Sequence, residues 1–233
     1  MPLVVALLIG ITFVLSLTAA VLSRNGVRVL EHVVLSPPAV WHGQVWRLFT
    51  WQLFELDPIN LIFACLMLYW FGRDLCVQWG TARFLAVYLG CAAIAGALTC
   101  VIGRFVWHEV GGQAFFGVWV VTDALTLAWA ALYPDREIFL GFILPVSGKM
   151  LIWITVGGTI LYAAFVGFSQ FVPHLIAELL MLAYVSNPRL RLNRWRLGRL
   201  EHQRRSYLKS VARADREEDE HGPPSGKPPR WMN

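Results

Sequence analysis

Charge is what this chain has least of. Only 15% of its 233 residues are Asp, Glu, Lys or Arg, against 57% hydrophobic. Residues 3–22, 59–72, 84–103, 113–133, 150–168 and 171–186 carry almost no charge at all. No soluble core hides that many long apolar runs, so a soluble globular domain is excluded and an all-α polytopic membrane protein is expected. A spanning helix needs about 20 apolar residues, and the second and last runs reach that length only with flanking aromatic or polar residues. Cysteine is also scarce. Cys65, Cys76, Cys91 and Cys100 lie in or beside apolar runs without metal-ligand spacing and are expected to pack as small hydrophobes, which neither implies nor excludes disulfides. No Lys or Arg precedes the first apolar run, so despite the small residues Thr18-Ala19-Ala20 it reads as a retained span rather than a secretory signal. There is no internal repeat.

Six spans with both ends on the cytoplasmic side put sixteen basic residues inside, Arg73, Arg83, Arg136, Lys149 and those after Asn187, against Arg24, Arg28, Arg47 and Arg104 outside. That bias predicts an N-in, C-in bundle over residues 1–186, expected in a bacterial inner (plasma) membrane. Residues 187–233 should form a basic juxtamembrane helix followed by a disordered cytoplasmic tail. The helix would lie on anionic lipid, and its position next to a span argues against nucleic acid as the partner of its charges. The connection 23–58 is too long for a simple turn. Its Trp41, Trp46 and Trp51 predict a large outer loop lying in the lipid interface, and Gln44-Val45-Trp46-Arg47-Leu48-Phe49-Thr50 reads first as an interfacial anchor. Gly90, Ala92, Ala93, Ala95, Gly96 and Ala97 give the third span a surface for close helix approach, and Gly157-Gly158 suggests the same in the fifth. Pro134 should stop the fourth span.

Several of these segments together resemble the rhomboid family of intramembrane serine proteases. They are Trp46-Arg47 in the large loop, Phe71-Gly72-Arg73-Asp74-Leu75, Gly117, Tyr133-Pro134-Asp135-Arg136 and His174, and the likeness extends from about Trp41 to Tyr184. It implies a six-transmembrane-helix bundle. It also implies a glycine-x-serine-glycine nucleophile on the fourth helix, a histidine base on the sixth and a histidine-x-x-x-asparagine pair on the second that holds the oxyanion. Registered from Gly117 and from Pro134, the serine position is Trp119 and the following glycine is Val120. The pair on the second helix is Asn60 and Ala64, so only His174 remains. Indole has no nucleophilic oxygen, and loss of the asparagine donor removes further transition-state stabilisation.

The expectation is therefore a rhomboid-like pseudoprotease that binds transmembrane segments of client proteins without cleaving them, using no cofactor. Asp123 and Glu178 are ionisable groups within spans and should face the bundle interior. Glu178 lies four residues after His174, and Asp123 four after Trp119, which predicts a buried polar cluster of Asp123, His174 and Glu178. Read blandly, it is a hydrogen-bonded structural knot. The sharper readings are a metal site or a proton or ion pathway. Two enzymatic alternatives stay open, a protease with a nucleophile relocated to Thr122, Ser147 or Ser169, and a metal-assisted hydrolase using Asp123, His174 and Glu178. A non-enzymatic membrane scaffold is the remaining one.

Overall fold

The computed structural model describes residues 2–25, 30–140 and 144–187. The juxtamembrane helix and tail expected from residue 187 onward lie outside the described residues, apart from Asn187 itself. Helix α1 (Leu3–Arg24) buries Val5, Leu8, Thr12, Ser16 and Ala19, one stripe at helical spacing, and turns the rest of its apolar surface outward.

The long loop is a compact structure of its own. It holds α2 (Leu30–Val33), α3 (Pro37–Trp41), α4 (Arg47–Thr50) and a 3-10 turn, Trp51–Leu53. Here the anchor reading divides. Trp46 is half exposed, as an anchor would be, but Arg47 is only 4% exposed. Its Nε donates to Gln44 Oε1 at 2.7 Å, Nη1 to the Val34 carbonyl at 2.7 Å and Nη2 to the Glu31 carbonyl. Thr50 Oγ1 adds a bond to the Val33 carbonyl at 2.8 Å. Arg47 thus fastens α4 to the α2 segment. Arg47→Ala would remove three hydrogen bonds made by a buried charged group, at about 1.5–3 kcal/mol for one such bond. We expect a melting temperature in detergent lowered by several degrees and faster proteolysis within 30–50.

Helix α5 (Pro58–Met67) starts where its sequence says it should. Proline occupies the first turn, and Asp57 Oδ1 accepts the Ile59 and Asn60 N–H groups at 2.8 and 2.9 Å. A π-turn, Leu68–Gly72, carries it into α6 (Arg73–Trp79), so the apolar run that looked short becomes a continuous 22-residue helix. Gly80, with φ of 81°, breaks it from α7 (Thr81–Phe105). The small-residue face of α7 meets the loop. A Cβ on Gly96 would stand 3.3 Å from Leu35 and from Trp51 Nε1, and Ala92 and Ala95 are fully buried.

After α8 (His108–Gly111) the chain runs extended, and Phe115 forms an antiparallel bridge with Leu35. Helix α9 (Trp119–Leu132) begins only after Gly117, whose φ is 128°. Its 14 residues measure about 21 Å, short of the roughly 30 Å hydrocarbon core. Five helices among the described residues are long and apolar enough to cross a membrane, α1, α5 with α6, α7, α10 (Gly148–Val166) and α11 (Phe168–Ser186); α9 is the shorter apolar one. The fourth apolar run was expected to span on its own, but its first residues go into the bridge with Leu35. Burial of eleven of its fourteen residues keeps α9 inside the bundle.

The all-α expectation needs one amendment. Between α9 and α10 lies an antiparallel hairpin, β1 (Glu137–Leu140) and β2 (Leu144–Ser147), with Glu137 opposite Ser147. At this end two of the quoted motifs meet: Asp74 Oδ2 accepts from Arg136 Nη1 at 2.7 Å and from Trp129 Nε1 at 3.0 Å. The bundle thus has a loop end, which carries the long loop, and a hairpin end, which carries β1 and β2.

Candidate functional site

Helix α9 packs on both α5 and α10 and forms the floor of a groove of about 1020 Å³ between them. The groove runs the length of the bundle, from Glu55 and Gly117 at the loop end to Arg73 and Arg136 at the hairpin end. Each wall follows from local sequence. The Asp57 cap sets Asn60 facing the cavity one turn into α5, and the positive φ of Gly117 turns the chain so that Trp119 opens α9 on the floor.

Trp119 lines the groove and is half-buried, while Asn60 is exposed and Ala64 is fully buried in the core. One turn below Trp119, Asp123 also faces the cavity, as does His174 from α11. The His174 ring stacks on Phe171 with centroids 5.0 Å apart, and its Nδ1 is buried without a hydrogen-bond partner. Glu178 does not line the groove. It is 3% exposed, and its Oε1 accepts from Thr159 Oγ1 of α10 at 2.7 Å. The structure thus brings Asp123 and His174 to one cavity with Glu178 at its back. No hydrogen bond among the described residues links the three, which departs from a hydrogen-bonded knot. Nor is any group of three or more His, Cys, Asp or Glu side chains among the described residues placed to hold a metal ion.

The candidate replacement nucleophiles are committed elsewhere. Thr122 is buried and bonds back to the Val118 and Trp119 carbonyls at 3.2 and 3.1 Å, a geometry that points its hydroxyl at its own helix. Ser169 accepts from Gln113 Nε2 at 2.8 Å. Ser147 caps α10 at the hairpin end, accepting the Met150 N–H at 3.4 Å. None of the three lines the groove.

Glu55 is the site residue that sequence reasoning missed. It is buried at the loop end of the cavity, with Oε2 3.5 Å from where a Cβ on Gly117 would sit. Its Oε1 accepts the Leu56 and Asp57 N–H groups at 3.1 and 3.4 Å. Burial pushes the carboxyl above its usual range, and those two N–H bonds oppose the shift. The available signal was an acid set among Trp51, Phe54 and Leu56.

Gly157 and Gly158 of α10 overturn an expectation. A Cβ on either would meet nothing within 4 Å, so they are not a close-approach site for another helix of this chain. Gly158 instead lines the groove beside Thr155 and Thr159. A protein-family model described as the Rhomboid domain matches residues 42–186. No curated protein matches the chain.

Proposed function

The chain belongs to the rhomboid family of integral membrane proteins, and on that footing we propose that it is a pseudoprotease whose groove binds transmembrane segments of client proteins without cleaving them. The observation that carries this reading is the indole of Trp119 in the cavity where the family serine would act. His174 lines the same cavity, and no hydroxyl among the described residues bonds its Nδ1. Without a nucleophile, base and oxyanion donors have nothing to activate. What remains is a long cavity with a small-residue wall at Gly158, lined by exposed apolar side chains such as Tyr69 and Trp70 of the π-turn and Ile154 and Tyr162 of α10. Such a surface suits packing of a further helix within lipid. In this reading the bundle has six spans, with α9 as the fourth and both termini cytoplasmic in a plasma membrane, in keeping with the distribution of basic residues.

Two measurements test it. A serine-directed fluorophosphonate should not label the purified protein; labelling that disappears on replacing one serine or threonine would overturn the pseudoprotease assignment. A photo-reactive residue at position 119 should capture client helices in native membranes, and recovery of lipid alone would count against client binding.

A further inference from the structure

The groove wall carries acidic groups without a cation to match them. Asp123 faces the cavity from α9 and has no hydrogen-bond or ion-pair partner among the described residues, and Glu178 is fixed behind the cavity lining by its bond to Thr159, which lines the same groove. The basic side chains that line the same groove, Arg73 and Arg136, lie at the hairpin end, where Arg136 is already paired with Asp74 at 2.7 Å. Asp123 lies four residues along α9 from Trp119, about 6 Å toward the hairpin end. An ionisable group inside a span costs about 2.5–3.5 kcal/mol unless something compensates it, and its usual location is a functional path or a partner contact. A third polar group points the same way: His174 lines the same cavity, and its buried Nδ1 is unpartnered among the described residues.

The α10 wall has room for what is missing. A Cβ on Gly158 would meet nothing within 4 Å, so an incoming helix can approach α10 closely and direct a long side chain across to α9. Resting on the client-binding reading above, we propose that the groove selects client transmembrane helices carrying a Lys or Arg at the depth of Asp123. Asp123 is the direct partner of that cation, and Glu178, held by Thr159, is a secondary acidic group behind the lining. A basic residue within a client span is itself costly in lipid. Pairing it with Asp123 offsets both burials at once, which gives selectivity over a purely apolar helix.

The test uses the full chain in phospholipid nanodiscs with a photo-reactive residue at position 162, on the groove rim. The probes are leucine-rich helical peptides with Lys, Leu or Glu at the middle position. The Lys helix should crosslink about tenfold more than the Leu helix, a difference of about 1.4 kcal/mol, and the Glu helix least. D123N should bring the Lys helix down to the Leu level, and E178Q, which keeps an acceptor for Thr159, should lower it partway. D123K should reverse the order in favour of the Glu helix, a readout that simple loss of folding does not produce. Equal capture of Lys, Leu and Glu helices would overturn the cation proposal and leave client binding standing. Capture of none above the lipid background would overturn both.

Discussion

Gly158→Trp is expected to abolish capture of client helices in the groove while leaving the melting temperature in detergent within a few degrees of the native protein. The two halves of that result have one cause. A Cβ at Gly158 meets no atom of the chain within 4 Å, so a side chain there starts into open groove and not into the packed core. It does fill the space beside Thr155 and Thr159 where an incoming backbone would lie. Helix association in lipid depends on close packing at small residues, and a bulky side chain at the contact removes that packing outright. Crosslinking from position 119 in native membranes provides the measurement. A variant that captures helices as well as the native chain would show that clients bind elsewhere. Should the variant melt early, Gly158→Leu, which blocks less space, gives the same reading.

The second large effect concerns stability. Gly103 of α7 and Gly111 of α8 touch through their backbones: a Cβ on Gly111 would lie 2.5 Å from the Gly103 carbonyl oxygen, and one on Gly103 would lie 2.8 Å from Gly111 Cα. Neither neighbour is a flexible side chain that can swing away, so Gly111→Val must push the two helices apart. Overpacking of this kind costs about 1–3 kcal/mol and occasionally more, and we place this variant at the upper end. The damage should spread toward the site, because the chain leaves α8 directly into the strand that pairs Phe115 with Leu35 and then into Gly117. Denaturant melts should shift markedly, and cysteine labelling at position 119 should quicken. Native-like melting of Gly111→Val would show that this crossing is loose.

Much of the architecture could be read from the chain because hydropathy and capping are local. The apolar runs located the long helices, the second of them to within one residue of the start of α5, which Asp57 caps. Trp119, Asp123 and His174 could be placed on their helices by counting, since helical spacing is fixed. What escaped depends on partners distant in sequence. Residues 113–118 are apolar enough to extend α9, but their backbone pairs with Leu35 and bonds to the Trp51 carbonyl through Gly117 N–H at 3.2 Å. The direction Gly158 faces, the burial of Glu55 and the conversion of Arg47 from anchor to fastener were hidden for the same reason. Each is decided by what a segment from elsewhere leaves open or covers. The hairpin at 137–147 gave no signal beyond a loop.

The Arg47 fastening also bears on how the protein sits in a bilayer. Trp46 and Phe49 are exposed on the helix that Arg47 locks in place, and Trp46 Nε1 donates to the His32 carbonyl at 3.2 Å. Indole rings settle at the headgroup level, so a rigidly held set of them works as a depth gauge. The same loop grips the start of α9 through Leu35 and Trp51. The vertical offset between the lipid surface and Asp123 is then a fixed dimension of the molecule, and on the client-binding proposal it sets the depth below the headgroups at which a client residue would be read.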